Sequence, residues 1–120
     1  MIAQSQSGNL GASRAEVIRG FNDTLRTKAK GGRIGLTPRV AALPPNDLAT
    51  VCRAVKNYSG FTADSDPFGE HDFGSVLIDG RFTIAWKIDA YDHSLTKHSP
   101  DATDPVVTTR VMTIMMGDEY

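Results

Sequence analysis

The dipeptide Asp79-Gly80 constrains this chain more than any other feature. Gly accepts the positive φ that a tight two-residue hairpin turn demands, and Asp tolerates it better than most residues. The flanking runs have the composition of strands. Phe73–Ile78 is short and apolar, and Arg81–Asp89 alternates, with Phe82, Ile84, Trp86 and Ile88 on one face and Arg81, Thr83, Ala85, Lys87 and Asp89 on the other. A hairpin with one face buried is therefore predicted over residues 73–89. Pairing Ile78 with Arg81 across the turn places Glu70 opposite Asp89 and Asp72 opposite Lys87.

Other segments supply the layers that bury this face. Ser13 and Glu16 form an S-x-x-E capping box, and Val17, Ile18, Phe21 and Leu25 follow at helical spacing until Gly31-Gly32. Residues 33–43 contain a short strand pattern broken by Pro38. Pro44-Pro45 opens a second helix with Leu48, Val51, Cys52 and Val55 on one stripe, ending between Asn57 and Gly60. Residues 92–105 are polar and interrupted by Pro, as in a loop, and Thr108–Met116 is a strand apolar on both faces, which suits a central or helix-covered place. The expectation is an α+β domain over residues 13–120, with two amphipathic helices on a three- to four-stranded antiparallel sheet. Residues 1–12, polar and rich in Gly and Ser, are expected to be a flexible terminus.

Composition narrows the function classes. A membrane helix needs about 18 consecutive apolar residues, and this chain has no such run; nor does its N-terminus have the layout of a signal peptide. A cytoplasmic location is expected. The single cysteine, Cys52, excludes an intrachain disulfide, and its place on the apolar stripe predicts a buried, inert thiol. The net charge of −1 hides an asymmetry. Residues 1–63 carry nine basic against three acidic residues, and residues 64–104 carry nine acidic against three basic ones. Direct nucleic-acid binding is disfavoured by the pI near 6.3 and by a basic first helix whose one aromatic, Phe21, is needed in the core.

Polar chemistry concentrates before and after the hairpin. Asp64, Asp66, Glu70, His71 and Asp72 precede it, and Asp89, Tyr91, Asp92 and His93 follow. One reading is a divalent metal site for hydrolysis, with Glu70, His71 and Asp72 as catalytic candidates and Glu70, His71, Asp89, Asp92 and His93 as ligand candidates. Against it, Glu70, His71 and Asp72 are adjacent and cannot all face one side of a strand, and no H-E-x-x-H, C-x-x-C or calcium-loop motif occurs. The competing reading is that these side chains order loops. A third is a protein-binding surface without metal or cofactor, carried by Asp64, Asp66, Phe68, Glu70, Tyr91, Asp92 and Asp101. Aromatics beside charges on a rigid hairpin have the makings of a hot spot.

Three stretches carry a resemblance beyond periodicity. They are Asp66-Pro-Phe-Gly-Glu-His-Asp-Phe-Gly74, Trp86-Lys-Ile-Asp-Ala-Tyr-Asp92, and Ser99-Pro-Asp-Ala-Thr-Asp-Pro105 with the run Thr109-Arg-Val-Met-Thr-Ile-Met-Met-Gly-Asp-Glu-Tyr120. Over residues 17–120 the chain resembles a family of small proteins of unknown function found in alphaproteobacteria, their plasmids and phages. It departs from that family's pattern at Ser65, Phe68, Ala90 and Gly117, where Asn, Tyr, Tyr and Ala are usual. The loss of hydroxyls at 68 and 90 weakens any catalytic role there. The resemblance implies a mobile-element protein, and hence an inhibitor of host defence (anti-CRISPR or anti-restriction) acting by contact with a protein partner. A basic nucleic-acid-binding host complex is the class of partner that the acidic half would fit.

Overall fold

The computed structural model of the protein describes residues 12–120. The terminus expected to be flexible therefore lies, through residue 11, outside the described residues. Helix α1 (Arg14–Lys28) begins at the expected capping box: Ser13 accepts from the Glu16 amide, and Glu16 accepts from the Ser13 amide. It ends at Lys28, three residues before Gly31, because Ala29 itself takes the left-handed C-cap at φ 56°. Strand β1 (Gly32–Leu36) follows, then a one-turn helix α2 (Pro38–Ala41). Pro38 does not merely break the strand. It occupies the first turn of α2 behind a Thr37 cap, where its missing N–H costs nothing. Helix α3 (Pro45–Lys56), strands β2 (Phe73–Ile78), β3 (Phe82–Tyr91) and β4 (Thr109–Met116), and a short 3₁₀ turn at Gly117–Glu119 complete the order.

The four strands form one sheet in the order β1-β4-β3-β2. The sheet is mostly antiparallel, but β1 runs parallel to β4, with Ile34 beside Met112 and Leu36 beside Ile114. The fold is thus α+β as expected, with a mixed sheet. The apolar run of β4 fits its central position between β1 and β3.

The hairpin register differs from the expected one by a residue. Asp79 and Gly80 both take positive φ, and the Arg81 amide donates to the Ile78 carbonyl, but Ile78 pairs with Phe82 and Arg81 is extruded. The reason is the period of two. Pairing Ile78 with Arg81 would put an isoleucine on the outward face. One extra residue returns Ile78, Val76 and Gly74 to the face of Phe82, Ile84 and Trp86. Asp72 consequently lies beside Ile88, whose amide donates to the Asp72 carbonyl, and not beside Lys87.

Trp86 is the centre of the core. It is fully buried, together with Leu25, Ile84, Val40, Val51 and Val55. Tyr58 and Phe61 meet the indole edge-on at 5.5 and 6.1 Å, and the Arg26 guanidinium sits 5.2 Å from the ring. Gly74 is what admits the indole beside β2: a Cβ there would lie 2.5 Å from Trp86 Nε1. Cys52 corrects the sequence expectation. It is exposed, because the stripe of α3 that enters the core is Val51 and Val55, leaving position 52 on the helix flank. Truncating Trp86→Ala should cost about 3–5 kcal/mol, and Gly74→Ala about 1–3 kcal/mol through overpacking. Urea unfolding followed by circular dichroism measures both; a Gly74→Ala midpoint equal to the parent's would refute the close contact.

Candidate functional site

The segment between α3 and β2 contains no regular structure, yet it is held on every side. Thr62 and Ser65 exchange side-chain-to-amide bonds, each 3.1 Å. Asp66, only 9% exposed, accepts from the amides of Glu70 and His71 at 3.1 and 3.2 Å. Its carboxylate thus closes the loop, helped by positive φ at Gly69 and His71. The loop is then tied to α1: Arg19 donates to the Gly69 carbonyl, Asn22 to the Glu70 carbonyl, and His71 Nδ1 lies 2.8 Å from Asp23 Oδ1. The His71 ring stacks on Phe61 at 3.7 Å with 4° between planes.

Beside this anchored loop lies a cleft of about 460 Å³ between α1, β3 and the segment before β4. Glu70, Asp72 and Asp89 line it with Arg14, Asn22 and His98. Burial pushes the Glu70 carboxyl above its ordinary value, and the neighbouring Asp72 charge adds to the effect. Burial likewise raises Asp72, with further repulsion from Asp66 and Asp89. Neither Glu70 nor Asp72 forms an ion pair among the described residues, whereas Asp89 is paired with Lys87 at 3.2 Å. Arg110, 2% exposed, supports the cleft from within. Its Nε donates to Asn22 Oδ1 at 3.2 Å, its Nη2 donates to the Ala102 carbonyl, and its guanidinium stacks 4.7 Å from the Phe21 ring. Burial lowers the Arg110 pKa from the ordinary arginine value, and the Glu70 charge opposes that shift.

The structure distributes the expected site residues over several tasks. Asp64 is exposed, and Phe68 projects from the loop at 77% exposure. Tyr91 is half-buried at the end of β3, bridged to His98. Asp92 accepts from Ser94 Oγ and the Thr96 amide, and Asp101 from Thr103 and Arg14, so both shape turns. His93 donates from Nε2 to the Val106 carbonyl, and its Nδ1 lies 3.0 Å from Thr109 Oγ1. Glu70 and Asp89 are not cross-strand partners, though both reach the same cleft. Among the described residues no group of three or more His, Cys, Asp or Glu side chains is arranged to hold one metal ion. The extrusion of Arg81 is the physical reason that Asp72 faces α1 with Ile88. The reversed chain direction at His71 (φ 54°) belongs to the turn that sends its ring to Asp23.

Asn22, Asp23, Phe61 and Arg110 were not singled out by sequence reasoning. Arg110 alone carried a visible signal: a cation on the face that β4 otherwise fills with Met112 and Ile114. No helix among the described residues is long and apolar enough to cross a membrane. No curated protein and no solved structure matches the chain. Residues 36–119 match the model of a family described as "Protein of unknown function (DUF3768)". That span starts at the end of β1, leaving α1 outside it, and contains every strand residue of the hairpin and the whole 64–104 segment. Since the match spans more than half of the sequence, the chain belongs to the DUF3768 family.

Proposed function

We propose that this chain is a non-enzymatic binding protein whose contact surface is the acidic end of the hairpin. The observation that carries this reading is the state of Glu70 and Asp72: two half-buried carboxylates in one cleft that form no ion pair among the described residues and are held above their ordinary pKa values by burial, although Arg14 and Arg110 act on Glu70 from a distance. Partly desolvated like charges cost free energy, and an incoming Lys or Arg side chain would relieve that cost. Phe68 stands nearby on a loop braced by Asp66, a rigid and exposed aromatic of the kind that anchors interfaces. A basic protein partner supplies both complements. The alphaproteobacterial, plasmid and phage character of the resembling family supports a mobile-element role, as an inhibitor of a host defence complex that itself binds nucleic acid. The alternative is a metal-dependent hydrolase or nuclease using Glu70, His71, Asp72, Asp89 and Asp92, which asks for ligands gathered around one ion; among the described residues no group of three or more is so arranged.

Affinity capture of the tagged chain from its host, with mass spectrometry, tests the reading. The parent should retain a basic nucleic-acid-binding protein. Phe68→Ala and the double variant Glu70→Gln/Asp72→Asn should each lower capture about tenfold or more. Equal capture by all three, or metal-dependent cleavage of nucleic acid by the parent, would remove it.

A stability measurement follows from the same carboxylates. Their folded pKa values lie above the ordinary 4.5 of Glu and 3.8 of Asp. The folded state therefore holds these protons more tightly than the unfolded state, and stability falls as pH rises through that window. Asp72→Asn should melt about 2–4 °C above the parent at neutral pH. The gap should close below the ordinary aspartate value of 3.8. A neutral-pH melting temperature below the parent's would show that the Asp72 charge is already compensated within the chain.

A further inference from the structure

A second groove lies on the same face of the sheet as the cleft, along the β1 edge. It measures about 490 Å³ and is floored by Ile34, Val55, Met112 and Ile114. Arg26, Lys28 and Lys56 line it, and no acidic or aromatic residue does. Lys28 and Lys56 form no ion pair among the described residues. Arg26 is buried, with Nη1 3.4 Å from Asp23, and its Nε has no hydrogen-bond acceptor among the described residues.

Among the described residues the strand beside this groove has a free edge. β1 is outermost in the sheet order. In a parallel ladder each strand's bonds alternate between its two sides. Because the Thr37 amide donates to the Ile114 carbonyl, the odd positions face β4, and the amides and carbonyls of Ile34 and Leu36 face outward. Their side chains are 44% and 37% exposed. An unpaired edge, an aliphatic floor and cationic walls together are the requirements for strand addition by an extended peptide.

We propose that this edge binds an extended acidic segment of a partner protein, which adds as a further strand beside β1. One of its aliphatic side chains sits over Ile34, and its carboxylates face Lys28 and Lys56. Nucleic acid fits less well, since the groove offers no ring for base stacking. The chain's own residues 1–11 contain no acid, and its acidic segments at 64–72 and 92–104 are folded into turns by Asp66, Asp92 and Asp101. A second copy therefore presents no extended acidic strand. This site is separate from the Phe68 surface and stands or falls independently of it.

Cys52 provides the measurement. It is the single cysteine, it is exposed, and it lines the groove. The rate at which a thiol reagent modifies the intact protein is followed while a synthetic peptide of alternating Glu and Leu is titrated in. Saturable slowing of about tenfold is expected, with no slowing by the same peptide carrying Lys for Glu. Lys28→Glu/Lys56→Glu should raise the peptide midpoint about tenfold, and Ile34→Pro should abolish protection. Where Ile34→Pro lowers the melting temperature, the double charge variant, made on exposed residues, keeps the test decisive. The proposal is overturned by absence of protection at millimolar acidic peptide or by equal protection from the lysine peptide. It is also overturned by decanoate protecting at lower concentration than the peptide, which would indicate a small amphiphile. Peptide-free protection that grows with protein concentration would make a second copy the occupant and overturn it equally.

Discussion

The approach of Gly74 to the Trp86 indole decides how the layers of this fold can meet. With no Cβ at 74, β2 passes the ring edge, and the indole fills the space under both helices. Everything around it is arranged on that placement. Tyr58 and Phe61 close two sides edge-on, and Arg26 spreads over Phe61 and Trp86 at 5.2 Å from each ring. The arrangement has a cost. Trp86 Nε1 and Arg26 Nε are buried without acceptors, and an orphaned donor costs about 1–3 kcal/mol. Apolar burial of the whole ring and the cation–π contacts offset it. Burial lowers the Arg26 pKa, while the Asp23 charge acts in the other direction.

A polar layer lies over this core and fixes the acidic cleft. Asn22 is its hinge: one side-chain amide donates to the Glu70 carbonyl and accepts from Arg110, so α1, β4 and the loop before β2 are joined through a single buried residue. Removing either partner of such a network leaves a desolvated group, which is more damaging than the modest net worth of each bond suggests. Asp23 serves the same end through His71, which in turn stacks on Phe61 beside the tryptophan. The loop that presents Phe68 is therefore continuous with the hydrophobic core, although its own backbone has no regular structure.

This explains which features were legible in the sequence. The capping box at Ser13, the span of β2 and the buried face of β3 follow from local periodicity and stand as read, whereas of the stripe Leu48, Val51, Cys52 and Val55 only Val51 and Val55 are buried and Cys52 is exposed. The parallel pairing of β1 does not follow from its five residues, since direction is set by how the chain returns from β3. The extruded Arg81 was concealed because Asp-Gly accepts the same positive φ in turns with and without a bulge. Loop roles for Asp66, Asp92 and Asp101 were readable as an alternative, because short acidic side chains near Pro, Ser and Thr form turns locally. The Asn22–Arg110 contact spans 88 positions, and no local pattern could announce it.

The charge asymmetry of the sequence acquires a structural meaning once the ion pairs are placed. Two basic residues of the first 63 find acids later in the chain, Arg14 meeting Asp101 at 3.1 Å and Arg39 meeting Asp118 at 2.7 Å, while Arg81 of the acidic segment meets Asp47. These contacts are largely exposed and are each worth under about 1 kcal/mol, so they guide the halves together more than they hold them. What matters is the remainder. Among the described residues Glu70 and Asp72 form no ion pair in their cleft, where Arg14 and Arg110 act on Glu70 only from a distance, and Lys28 and Lys56 form none near β1. Internal pairing could have consumed these charges, but the sheet keeps them apart: Asp72 abuts β2 at one edge, and the lysines end the helices over the other. A fold whose core has settled its own packing thus leaves an acid-rich cleft and a lysine-lined groove apart from one another, and charge left outside ion pairs acts on whatever approaches from outside.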